Sequence, residues 1–161
     1  MEILVEGPII SIIPADDCPV ALLRKKGGTE ELTVTLNVFS LQNMVMAIEN
    51  IRSNRPTIHQ LYVNSLETLG ATVEKVVIND MVDGIYHSCI FIITQEGQTE
   101  LIDAHVTDAL IIATIKTCPI FVTEEVFKKL DREKMGTQNK ILAIKAAKML
   151  ENFDSDRLIR H

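Results

Sequence analysis

Hydrophobic and polar positions along this chain switch repeatedly between a period of two and a helical spacing, and the switches outline the fold. Met1 to Ile13 is rich in Ile, Leu and Val, with Pro8 and Pro14 limiting how much of it can sit in a central strand. Pro19 to Arg24 and Glu30 to Val38 read as two further strands joined by a hairpin across Lys25-Lys26-Gly27-Gly28. The second alternates cleanly, placing Leu32, Val34, Leu36 and Val38 on one face of a half-buried strand.

Helical spacing then takes over. Ser40 offers an N-cap, and Met44, Val45, Ala47, Ile48 and Ile51 form a stripe ending near Asn54. Arg55-Pro56 fixes an extended lead-in to a second helix that Thr57 can cap. Leu61, Ser65 or Leu66, and Leu69 mark its inward face, and Gly70 supplies the stop. Thr72 to Asn79 and Ile85 to Thr94 are β-branched runs around Asp83-Gly84, a hairpin signal resting on glycine's tolerance of positive φ. Thr99 to Asp103 is the next strand. Thr107 to Thr117, apolar on nearly every side, predicts the most buried helix, packed on a sheet that contains the Glu30 to Val38 and Ile85 to Thr94 strands. Ile120 to Val122 is a short strand, Thr123 caps a helix to Lys134, and Gly136 separates a last helix, Gln138 to Asn152, from it. Residues from Asp154 to His161 read as a frayed tail. Strands in clusters interrupted by helices predict an α+β single domain, with a mainly antiparallel or mixed sheet packed by helices. That domain spans residues 1–130, with 131–161 a C-terminal helical extension.

Composition narrows the picture. The 161 residues suffice for one core without staples, and with no Trp and only 4% aromatics that core is built from Ile, Leu, Val and Met. The longest strongly apolar run, Ala109 to Ile115, is far short of the roughly 20 residues of a membrane helix. Three widely spaced cysteines, Cys18, Cys89 and Cys118, suggest neither a zinc ribbon nor a disulfide framework, and the opening Met1-Glu2 lacks the pattern of a signal peptide. A reducing cytoplasm is the expected setting. A net charge of −6 argues against a general positive field for nucleic acid, so such a role needs a metal or a local patch. The excess of Lys and Arg between Lys128 and Lys148 reads either as that patch or as a solvated helix face. The surplus of aliphatic residues predicts a homo-oligomer, most simply a dimer.

Candidate chemistry concentrates in Arg55-Pro56-Thr57-Ile58-His59-Gln60 and Asp103-Ala104-His105-Val106-Thr107-Asp108-Ala109, each leading into a helix. From about Leu32 to Val126 the chain resembles the bacterial and plant bifunctional nuclease domain, associated with cleavage of DNA and RNA. That family usually reads Arg-Pro-x-Thr-His-Asp in the first segment and Asp-x-Arg-Pro-Ser-Asp-Ala in the second. Arg55, Pro56, His59, Asp103, Asp108 and Ala109 match; Gln60 stands in place of an acid and His105-Val106 in place of Arg-Pro.

The resemblance implies a catalytic set of His59, Asp103 and Asp108. Asp103 and Asp108 would hold Mg²⁺ or Mn²⁺, His59 would orient or deprotonate a water, and Arg55 and His105 would bind substrate phosphate. His105 joining His59 as a nitrogen ligand would shift preference toward Mn²⁺ or Zn²⁺. A structural reading stands beside it: Thr107 caps the helix, Asp108 meets its dipole, Arg55 pairs with Asp103, and His59 satisfies a backbone carbonyl. The residues thus leave open a metal-dependent nuclease of DNA or RNA and a non-catalytic oligomeric scaffold or binding module on the same fold.

Overall fold

The computed structural model describes the backbone of residues 1–13 and 17–158 and the side chains of these through residue 152. Pro14 and the end of the tail, 159–161, lie outside the described residues, as do the side chains of the rest of the tail. Contacts divide the chain into two compact units, Met1–Phe127 and Lys128–His161.

In the first unit seven strands form one mixed sheet, so the fold is α+β. The strands are β1 (Glu2–Ile13), β2 (Cys18–Lys25), β3 (Glu31–Thr35), β4 (Thr72–Val82), β5 (Ile85–Ile93), β6 (Thr99–His105) and β7 (Ile120–Thr123). Their spatial order is β3-β2-β1-β7-β4-β5-β6. Two antiparallel meanders, β1-β2-β3 and β4-β5-β6, are joined by β7, which runs antiparallel to β1 and parallel to β4. Both core residues of this short bridge, Ile120 and Val122, are buried.

Pro8 is accommodated inside a central strand by a break in register. β1 pairs with β7 only from Glu2 to Val5, and its pairing with β2 shifts between Glu6 and Ile9, so the missing N–H falls where no ladder needs it. Gly7 makes the approach possible. Its φ is +118°, and a Cβ there would lie 2.6 Å from the Leu22 carbonyl oxygen.

Two helices, α1 (Val38–Ile48) and α2 (Ile58–Thr68), connect β3 to β4, and α3 (Val106–Lys116) connects β6 to β7. α1 begins before Ser40. Asn37 is its N-cap, accepting from the Ser40 N–H at 2.8 Å, and Ser40 lies inside the helix. Starting the helix there ends the strand alternation at Leu36: Leu32, Val34 and Leu36 are buried as expected, whereas Val38 opens the helix and is exposed. The helix also stops at Ile48, short of Asn54.

The inward face of α2 departs from expectation as well. His59 and Val63 are buried and Tyr62 and Leu66 half-buried, while Leu61 and Leu69 are exposed. The face is rotated by placing His59 at its first inward position; residues 59, 62, 63 and 66 then follow the helical repeat.

α3 is the buried helix the sequence predicted. Leu110, Ile111 and Ile112 are at most 4% exposed. It packs on β4, β5 and β6 and is flanked by α1 and α2. Thr117, in the left-handed region at φ +53°, ends it before Pro119.

The last helix, α4 (Glu124–Leu158), is continuous through Gly136. One exposed glycine costs roughly 1 kcal/mol relative to alanine, too little to break a helix with strong formers on both sides. The Thr123 hydroxyl, expected as a cap, donates to the Asn79 carbonyl, tying β7 to β4.

Candidate functional site

The N-termini of α2 and α3 meet over the end of the β4–β6 meander, and there a buried histidine touches an exposed aspartate. α2 is fixed by a full capping box. The Thr57 hydroxyl accepts from the Gln60 N–H at 3.3 Å, and the Gln60 side chain accepts from the Thr57 N–H at 3.1 Å. Gln60, standing where an acid is usual, is thereby committed to backbone geometry. His59 follows on the inward side, and its Nε2 lies 2.8 Å from Oδ1 of Asp108, in the first turn of α3.

The pair is asymmetric. The His59 side chain is 8% exposed and that of Asp108 54%. Nδ1 of His59 is buried without a hydrogen-bond partner. The arrangement that leaves the least unsatisfied is a neutral imidazole protonated on Nε2, which donates to Asp108. The basic nitrogen then faces protein, and the group presented to solvent is the carboxylate. The positive ends of two helix dipoles favour that negative charge.

His105, not Thr107, caps α3. Its Nδ1 lies 3.4 Å from the Thr107 N–H and 2.8 Å from the Thr107 hydroxyl, and Thr107 itself is buried inside the first turn. Accepting at Nδ1 leaves the proton of a neutral His105 on Nε2, a hydrogen-bond donor.

These residues line an open cleft of about 340 Å³ together with Asp103, Tyr62, and the apolar side chains of Ile58, Ile90, Ile102 and Ile112. Tyr62 was not singled out from sequence, although its position three residues after His59 puts both on one helix face. Its hydroxyl is buried and without a partner, and burial pushes its pKa above the usual phenol value.

Asp103 reaches the cleft differently. It pairs across the ladder with Cys89, and its neighbours Ile102 and Ala104 point to the helix side, so Asp103 belongs to the opposite face of an edge strand. Burial, and then the Asp103 charge, push the Cys89 thiol up; burial also raises that of Cys118. Neither thiol is activated. Arg55 is exposed in the segment before α2, lies outside the cleft lining, and makes no ion pair with Asp103 among the described residues.

The donor set favours some ions over others. No group of three His, Cys, Asp or Glu side chains among the described residues could hold a metal, so a zinc-type nitrogen site including His105 has no support. Asp108 offers the cleft a carboxylate and Asp103 borders it from the other face of β6, an oxygen-only set that suits Mg²⁺ or Mn²⁺, which retain several waters and take one or two protein oxygens.

The family comparison supplies the class that goes with this mixed sheet and its His–Asp contact. The model of the bifunctional nuclease domain matches residues 21–134, and the chain belongs to that family. No curated protein matches the sequence. No helix among the described residues is long and apolar enough to cross a membrane.

Proposed function

We propose that this cleft hydrolyses phosphodiesters of DNA or RNA, with Asp108 as the reacting carboxylate and His59 as the residue that positions it. The observation that carries this reading is the 2.8 Å contact between a buried imidazole and a half-exposed carboxylate at two converging helix N-termini. His59 holds Oδ1, leaving the other carboxylate oxygen to take the proton of an attacking water as the water oxygen bonds to phosphorus, the P–O bond to the leaving group breaks, and the departing oxygen takes a proton from solvent. His105 Nε2–H donates to a phosphate oxygen, and the backbone N–H groups opening α2 and α3 favour the anion. Asp103 and Asp108 would hold Mg²⁺ or Mn²⁺, which supplies charge neutralisation at the phosphate and acidifies bound water. Arg55, outside the cleft, contacts a neighbouring phosphate.

The test is cleavage of single-stranded DNA and RNA by the purified protein with Mg²⁺, Mn²⁺ or EDTA, beside Asp108→Ala. Metal-dependent cleavage lost in the variant supports the mechanism; cleavage unchanged by the substitution overturns it. The commitment of Gln60 to a capping box favours a second reading, a non-catalytic oligomeric binding module, which absence of cleavage with either metal would support. On either reading the exposed Val38, Phe39, Val45 and Ile48 of α1 support self-association, most simply as a dimer, and sedimentation equilibrium at the monomer mass would exclude it. Three unpaired thiols suit a reducing cytoplasm.

A further inference from the structure

Charge is divided unevenly between the two units. Met1–Phe127 holds seven Lys and Arg against seventeen Asp and Glu, whereas Lys128–His161 holds nine against five. A polyanion approaching the first unit meets a net negative charge, and the cleft's own groups are carboxylates. Affinity for nucleic acid must then come from elsewhere on the chain.

The helical segment Lys134 to Leu150 contains four lysines and no Asp or Glu over its whole length. Every residue from 131 to 152 is exposed. At 100° per residue, Lys134, Lys140, Lys145 and Lys148 fall within a sector of roughly 140°, with Ile141 and Ile144 between them. Successive lysines are about 9, 7.5 and 4.5 Å apart along the axis at the helical rise, against roughly 3.4 Å per phosphate on one strand, so each lysine can meet a different phosphate. The family match ends at residue 134, where this segment begins.

We infer that the lysine face of α4 between Lys134 and Lys148 is a nucleic-acid-binding surface that holds the phosphate backbone without reading sequence. The inference rests on the nuclease reading for its benefit, since binding on the same chain raises the local concentration of substrate for the acidic unit. It stands on its own for the contact. Ammonium groups on flexible stems suit phosphates at variable spacing, and the two isoleucines among them offer contact to sugars and bases. The far side carries exposed Met135, Leu142, Met149 and Leu150 with Ala143 and Ala146, so an anionic lipid surface is the rival occupant that the experiment must separate. Ile141 and Ile144 among the lysines are what favour the sugars and bases of nucleic acid over lipid headgroups.

The experiment measures binding of a fluorescent single-stranded oligonucleotide to the full chain by anisotropy between 50 and 200 mM NaCl. Four phosphate contacts give a slope of log K against log salt near −2.8, about a 50-fold loss over that range. The triple variant K140E/K145E/K148E, checked for helix content by circular dichroism, is expected to lose most of the affinity and the slope; K140Q/K145Q/K148Q should fall between. Unchanged affinity and slope in both variants would overturn the inference. So would a wild type that binds anionic phosphatidylserine vesicles and not the oligonucleotide. The outcome is separable from catalysis. Binding lost in the lysine variants with no cleavage by any form upholds this surface and removes the nuclease reading, and cleavage without salt-dependent binding does the reverse.

Discussion

The two segments that carry the candidate chemistry solve the same local problem, starting a helix at the rim of a sheet, with opposite distributions of polar groups. At α2 the polar residues turn inward or back on the chain: Thr57 and Gln60 cap each other, and His59 is buried. At α3 they turn outward: Asp108 is half-exposed, and Asp103 and His105 line the cleft beside it. On the proposed function, one segment is a support and the other a working surface. A hydrogen bond from His59 to Asp108 connects them, and on that reading the histidine that sequence alone suggests as the base orients the carboxylate instead.

That division predicts how substitutions separate activity from stability. Asp108→Asn should lower cleavage by about two to four orders of magnitude, the range of a general base, while shifting stability by no more than about 1 kcal/mol, because the group is half-exposed and the amide oxygen still accepts from His59. His59→Ala should reduce activity comparably and also destabilise the fold by about 2 kcal/mol, since it empties a buried position. Paired kinetics and urea unfolding check both; equal stability losses in the two variants would contradict the assignment of support and surface.

Smaller effects sharpen the contrast. Thr57→Ala should cost about 1 kcal/mol by breaking the capping box, with the loss confined to stability unless His59 is displaced. Tyr62→Phe should be neutral or stabilising by up to about 1 kcal/mol, because it removes a buried hydroxyl that has no partner. The same residue has a pH signature. Its folded pKa is raised, so the folded state binds more protons than the unfolded state as pH rises past the ordinary phenol value, and stability falls there. Tyr62→Phe should flatten that alkaline decline in denaturation curves taken around pH 10 and above.

The least effect concerns the sheet edge. Because Asp103 shares a face with Cys89, Asp103→Asn removes a charge that helps hold the thiol up, and alkylation of Cys89 should quicken about a few-fold, read by mass spectrometry of the modified peptide. No change at Cys89 would mean that Asp103 lies entirely on the cleft side.

What the sequence determined by itself was whatever a local repeat enforces. The alternation of Leu32, Val34 and Leu36, the Asp83-Gly84 turn with its two positive φ values, and the all-round apolar α3 each have one low-energy answer. The polar motifs also marked two helix starts, because capping residues are local signals. Tertiary structure decided the choices among near-equal local options. Asn37 and Ser40 both cap well, and β3 ending at Thr35 selected the first. Thr107 and His105 competed likewise, and burial of Thr107 gave the cap to the imidazole. Which side of α2 faces inward, and therefore that His59 meets Asp108 forty-nine residues away, depended on packing against α3 and β4, which no periodicity within α2 encodes.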